Sequence, residues 1–360
     1  MKCCPKCFSD DVLSYFVESL SQGETGTCDF CRSENVPLFT LMPECELSAS
    51  FERLFDVIVP KDSVDRSRTL SEPGSLIKVF SSTWNIFSFS DEVLIQKLLS
   101  EMFGAEEWFK ILLDCKVVVS PGKGDRPLEE YSIFGSADWN EFSTSIMHKS
   151  RFFTSLANND VFEDLLKAAR SEWDSRRCLY RARIWTGEKA EPKESDFHEP
   201  PEDKASDGRM RPAGIPCVYT ADSPETAAAE VRAGMHDAVA IATLKPLNDF
   251  EFVDLGILDD ISPFCDVDCS QLIANSDHLY NVARELARPV RPSDSTLDYV
   301  PFQYLSEVMQ SFGNEAIGYP SVMHQDGQNI ACFSHFVDMF SIESIDMYEV
   351  GDLAYDLCKL

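Results

Sequence analysis

The strongest constraint on this chain sits near its front, where Cys4-Pro-Lys-Cys7 is followed, after a 20-residue gap, by Cys28-Asp-Phe-Cys31. Each C-x-x-C knuckle presents two thiolates from one tight turn. Two knuckles complete a tetrahedral four-sulfur site that closes a small domain otherwise short of core. The spacing predicts a zinc ribbon over residues 1–45, with Cys4, Cys7, Cys28 and Cys31 as ligands and the zinc in a structural role, because no coordination position stays open for a substrate. A redox pair is the rival reading of either knuckle alone, and Cys3 competes with Cys4 for the first ligand position.

The remaining cysteines read differently. Cys45, Cys115, Cys178, Cys217, Cys332 and Cys358 stand singly, mostly within apolar runs, as free thiols in a reducing compartment do. The start Met1-Lys-Cys-Cys-Pro lacks the basic-then-apolar build of a signal peptide, and no stretch approaches the ~18 apolar residues of a membrane span. A cytoplasmic protein without a membrane partner is expected. Its 61 acidic and 32 basic side chains leave a net charge of −29, which repels nucleic-acid backbones, so nucleic acid is not an expected partner. The acidic surface suits either plain solvation or a basic partner.

Along the chain, residues 46–168 read as a mainly helical domain. Asp91-Glu-Val-Leu-Ile-Gln-Lys-Leu-Leu opens after Ser90 as a capped amphipathic helix, and Val161-Phe-Glu-Asp-Leu-Leu follows Asp160 in the same style. Ser120-Pro-Gly-Lys-Gly-Asp lacks the spacing of a phosphate-binding loop and reads as a turn. The charged, proline-bearing stretch Glu188 to Asp207 reads as an exposed loop. From Cys178 the pattern changes to short apolar runs divided by turns: Cys178–Trp185, Cys217–Ala221, Ala238–Leu244, Phe250–Leu255 and Ala316–Tyr319 are expected strands. A helix after Ser223-Pro224 and another across Phe302–Phe312 complete an α+β domain over residues 169–345, followed by a tail, 346–360. Asp326-Gly327 before Ile330 marks a hairpin-like turn.

Three features of that α+β domain carry chemistry. Arg181 lies inside a strand, with Arg183 on the same face by two-residue alternation; either both form salt bridges at a strand edge or they face a ligand. Asp207-Gly208-Arg209-Met-Arg211-Pro-Ala-Gly214 is a glycine-flanked basic loop feeding the strand that holds Tyr219. It is either a surface turn or an anion site, since glycine lets backbone approach a ligand and a planar guanidinium suits a diphosphate. Glu230 lies among small residues in Ala227-Ala-Ala-Glu-Val231, which predicts a sheltered carboxylate able to stabilise a ribosyl cation.

These residues resemble a known family. Leu179-Tyr-Arg181-Ala-Arg, Gly208-Arg209 through Tyr219, Ala-Glu230-Val, Tyr299-Val-Pro-Phe-Gln303, Ile-Gly-Tyr-Pro-Ser321 and Gly327-Gln-Asn329 through Phe333 are similar, in order, to the motifs of the RES-domain family, over about residues 175–340. The front half looks like that of proteins labelled HEPN/RES N-terminal. The resemblance implies a fold like that of ADP-ribosyltransferase toxins and degradation of NAD+ by phosphorolysis or hydrolysis, in toxins paired with antitoxins. It implies Arg181, Glu230 and Ser321 as catalytic residues, and Arg181, Arg209, Tyr219 and Asn329 as the residues that bind NAD+ and an incoming phosphate. Arg181 and Arg209 would hold the diphosphate or phosphate, Tyr219 would line the nicotinamide-ribose pocket, and Ser321 would hydrogen-bond phosphate or ribose. Gly-Arg-Met-Arg-Pro replaces the family's common Gly-Arg-Trp-Asn, and Phe302 stands where many members have Thr; both leave the acceptor open. An ADP-ribosyltransferase acting on a macromolecule and a non-catalytic zinc-ribbon interaction protein are the rival functions. No histidine follows an arginine at the Arg-x4–6-His spacing of the HEPN nuclease motif, so RNA cleavage is not expected.

Overall fold

The computed structural model describes residues 1–121, 126–186, 191–288 and 296–351. Most of the Ser120–Asp125 turn, Glu188–Ala190, Cys358 and the end of the 346–360 tail lie outside the described residues. The chain divides into two compact units: Met1–Ser136 with Asp160–Ala168 and Asp260–Asp277, and Ala137–Asn159 with Ala169–Asp259 and His278–Leu360.

In the first unit, helices Asp11–Leu20, Glu46–Phe55, Leu76–Thr83, Glu92–Phe103 and Glu107–Asp114 surround an aromatic core. The Asp91 side chain caps the fourth of them by accepting from the backbone N–H of Val93 and Leu94, so the cap lies one residue beyond Ser90. Phe51, Phe80, Phe103 and Phe109 are fully buried, and Phe55 packs against Phe80 and Phe103 at centroid distances of 5.3 Å. Rings at these spacings and tilts add specific geometry to a large burial of apolar area.

An eight-stranded sheet organises the second unit. In chain order its strands are β1 (Arg170–Trp173), β2 (Leu179–Ile184), β3 (Val218–Ala221), β4 (Ala238–Pro246), β5 (Phe250–Asp254), β6 (Ala316–Pro320), β7 (Gln328–Cys332) and β8 (Phe340–Glu349). They lie in the order β8-β4-β2-β3-β7-β6-β5-β1, antiparallel throughout except for the parallel pair β5 and β6. The architecture is therefore α+β with a central sheet.

Alternation sorts the two faces. Leu179, Val218, Ala240, Ala242, Ile330 and Cys332 join one apolar cluster with Trp173, Phe197 and Phe336. Ala182, Ala221, Val239 and Ile241 face the other way, against Ala227 of helix α1 (Pro224–Glu230). That helix starts where Ser223 accepts from the Thr226 N–H, with Pro224 in its first turn. Helix α2 (Val300–Ser311) carries the Phe302 region.

The stretch after β2 departs from the exposed loop expected of it. Phe197 is fully buried in the sheet's apolar cluster, which outweighs the surrounding charge and anchors the segment.

Candidate active site

The site begins with an incomplete sheet. Strands β2 and β3 share a single register position, Tyr180 opposite Ala221, whereas β2 pairs with β4 along its whole length. Away from that position the facing backbone groups need other partners. Arg181 supplies one: its Nη1 donates to the carbonyl of Tyr219 at 2.7 Å and its Nη2 to that of His198 at 3.5 Å. Arg183, two residues on, donates from Nε to the carbonyl of Asp196. Both guanidinium groups are thus held by carbonyls. Burial, with the neighbouring Arg183 second, draws Arg181 down to about 10, so it remains charged at neutral pH. Its Nε is buried and unpartnered.

Beside this gap is a cavity of about 300 Å³, lined by Tyr180 to Arg183, Tyr219 to Ala221, Glu230, Tyr319 and Asn329. The Tyr219 hydroxyl is buried against the Met210 and Arg211 backbone, and burial pushes its pKa well up, so the ring is a neutral wall. Gly208 packs on it so closely that a Cβ there would lie 2.5 Å from the hydroxyl oxygen, which explains the glycine.

Glu230 closes the helix α1 at its C-terminal end. Its Oε1 accepts from Ser321 Oγ at 2.6 Å and from Asn329 Nδ2 at 2.7 Å. Glu230 is exposed, not sheltered as its small neighbours suggest: being the last helical residue, it stands at the rim of the cavity, while the small residues pack on the sheet below. Ser321 follows β6, where its Oγ accepts the N–H groups of Met323 and His324 at 3.2 and 3.1 Å. With those contacts made, the hydroxyl proton points to Glu230. Asn329, on β7, is buried and holds the same oxygen from the sheet side.

Residues 179–355 match the family described as RES domain. This part of the chain belongs to the RES-domain family. A chain of the crystal structure titled as the M. tuberculosis MbcT–MbcA toxin–antitoxin complex aligns with 52% of this chain and 93% of its own length, at 14% identity and a TM-score of 0.31. No curated protein matches the sequence.

Within the RES domain, four of the expected residues, Arg181, Tyr219, Glu230 and Asn329, line one cavity, and Ser321 bonds directly to Glu230. Arg209 lines a different cavity, of about 310 Å³, with Trp139, Tyr299 and Phe302. Its guanidinium donates to the carbonyls of Leu286 and Arg288 and lies over the Phe302 ring. Burial lowers its pKa, and Glu230 is among the groups opposing that shift, so the two charges sense each other. Tyr319 and Thr226 carried no site expectation in the sequence, and Arg211 only as part of the basic loop. Tyr319 lines the Glu230 cavity, and alternation from buried Ile317 would have placed it there. Arg211 is buried, donates to Gln310 at 2.6 Å and stacks on Phe333. Thr226 is wholly buried one helical turn before Glu230, a position that a polar residue in an alanine run could have signalled.

The cysteines of the first unit form their own cluster. The four Sγ atoms of Cys4, Cys7, Cys28 and Cys31 lie within 4.8 Å of one another, with 3.4 Å between Cys4 and Cys31 and between Cys7 and Cys28. Sulfurs about 2.3 Å from a central ion in a tetrahedron are about 3.8 Å apart, so the donor set fits such an ion. The bond from Cys7 draws Cys28 down to about 5, while burial pushes Cys4 up to about 12. Four thiolates at this spacing need a cation to coexist. No helix among the described residues is long and apolar enough to cross a membrane.

Proposed function

We propose that the RES domain cleaves the nicotinamide–ribose bond of NAD+, passing the ribosyl carbon to phosphate or to water. The observation that carries this reading is the Glu230 carboxylate at the cavity rim, with Oε1 engaged by both Ser321 and Asn329. The free oxygen, Oε2, then faces the ligand. As the C1′–N bond breaks, its electron pair leaves with nicotinamide and positive charge grows on the ribose, where a fixed carboxylate lowers the barrier. Oxygen of phosphate or water then bonds C1′, releasing ADP-ribose 1″-phosphate or ADP-ribose. A cavity of about 300 Å³ is at the small end for ligand sites and suits the nicotinamide–ribose end, beside Tyr219 and Tyr319. Arg181 supplies positive charge for the diphosphate or phosphate, and Arg209 extends that charge beyond the cavity.

On the family likeness alone, we read the fold as akin to ADP-ribosyltransferase toxins and the protein as a cytoplasmic toxin restrained by an antitoxin partner. The cysteine cluster is assigned a structural zinc ion.

The exposure of Glu230 favours one alternative, because a cavity open at its carboxylate admits a macromolecular acceptor, making the enzyme an ADP-ribosyltransferase. Incubation with NAD+ labelled in its adenylate part, with and without phosphate, separates the readings. Free nicotinamide with a small-molecule co-product is expected; label retained on protein or nucleic acid would replace it with transfer. Unimpaired nicotinamide release by Arg181→Ala, Glu230→Ala and Ser321→Ala would reject the site.

A further inference from the structure

Glu230 is tied to the loop between β6 and β7 at more than its own carboxylate. Thr226 precedes it by four positions on α1, so both side chains project from one face of the helix, a turn apart. Thr226 Oγ1 lies 2.9 Å from His324 Nδ1 and 2.6 Å from the capping Ser223 Oγ. His324 is also one of the two residues whose backbone N–H donates to Ser321 Oγ. The loop is closed across its base by the Ser321 N–H on the Gly327 carbonyl at 2.7 Å, and by the Gly327 N–H on that of His324 at 3.2 Å. Gly327 has no room for a side chain, since a Cβ would lie 2.6 Å from Thr226 Oγ1 and 3.1 Å from His324 Nδ1.

We propose that Thr226 and His324 are positioning residues that clamp the Ser321–Gly327 loop to helix α1 and thereby aim the Ser321 hydroxyl at Glu230. Neither residue touches the ligand. The Thr226–His324 bond holds the loop at one turn of the helix, the Ser321–Glu230 bond holds it at the next, and two points fix an orientation that one leaves free to rotate. A carboxylate so held presents Oε2 to the cavity in a single pose, the condition for stabilising charge without reorganisation. The buried Thr226 hydroxyl serves this end because it has no solvent to compete for it. The inference rests on the NAD+ reading for its catalytic consequence but not for the clamp itself.

Two measurements on the full chain keep those parts distinct. The first follows nicotinamide release by wild type, Thr226→Val and Thr226→Ser. Thr226→Val is expected to lower kcat about 10- to 100-fold, the scale of a small misplacement of a reacting group, with KM for NAD+ little changed and Thr226→Ser restoring most of the rate. The second needs no substrate: nitrogen-15 spectra of histidine-labelled protein should show His324 in one ring tautomer in wild type and Thr226→Ser, and in a mixture in Thr226→Val. A wild type that releases no nicotinamide removes the NAD+ reading, while the spectra still decide the clamp. An unchanged His324 tautomer in Thr226→Val would overturn the clamp. So would a kcat unaltered in Thr226→Val, or a loss that merely follows the unfolded fraction.

Discussion

The first compact unit buries Phe51, Phe80 and Leu54 against one another, whereas the second buries Arg211, Gln303 and Asn329. The first core is mostly carbon, and its buried Asn275 is satisfied within the unit by the Ile133 N–H and the Tyr131 and Gln271 carbonyls. Polar groups inside a sheet need hydrogen-bond partners, and those of the second unit take them from backbone carbonyls and from one another: Arg181 on Tyr219, Gln303 on Gly208, Asn329 on Glu230. Apolar packing serves both units, and the second adds a fixed pattern of buried polar and charged groups. Breaking the packing should cost stability, and breaking the pattern should cost chemistry.

Removing the zinc proposed for the cysteine cluster should separate the units most. Structural zinc contributes on the order of 10 kcal/mol to small zinc-dependent folds, so a strong chelator, or Cys7→Ser with Cys28→Ser, should abolish amide-exchange protection over residues 1–45 while strands β2 to β7 keep theirs. Persistent protection of 1–45 in metal-free protein would remove the structural role. Next in size is Phe51→Ala, expected to lower unfolding free energy by about 3–5 kcal/mol in denaturant titration, with activity per folded molecule retained. Glu230→Gln is its mirror image. It should raise the activation barrier for nicotinamide release by roughly 3–4 kcal/mol and leave the denaturation midpoint in place, because the residue is exposed. A Gln variant that unfolds as readily as Phe51→Ala would erase the contrast.

The smallest effect concerns pH. The hydrogen bond that the His335 ring donates to the Glu199 carboxylate raises the pKa of His335 above its usual 6.5, at the surface of the second unit. Its stabilisation is complete below the unfolded-state value and is lost as pH rises through the higher folded one. Wild type should thus lose a slight margin over His335→Ala between roughly pH 6 and pH 8, read as converging denaturation midpoints. A constant gap across that range would mean that the pair does not couple to folding.

How far residues announce themselves depends on how local their cause is. The Asp91 helix, the helix after Ser223-Pro224 and the five strand cores were legible, since capping and alternation act within a few residues. Strand β8 was not, because SIESIDMYE puts charge on an edge strand that is half solvated. The 18-residue helix Cys269–Leu286 also escaped, its apolar positions diluted by polar ones. In the site, Arg181 and Glu230 stood out as charges in apolar or small-residue surroundings, but the exposure of Glu230 did not, because the rim is made by residues far apart in sequence.

By itself the sequence determined the cysteine spacing of a four-sulfur site, the alternation that sets the sheet's two faces, and the motif order of a RES domain. Each is a matter of neighbours along the chain. Only the tertiary structure decided that β2 and β3 part after one pairing, that Arg209 stands in a cavity of its own, and that Oε1 of Glu230 is taken by Ser321 and Asn329. The last of these depends on hydrogen bonds between residues 91 and 99 positions apart, and no local periodicity carries them.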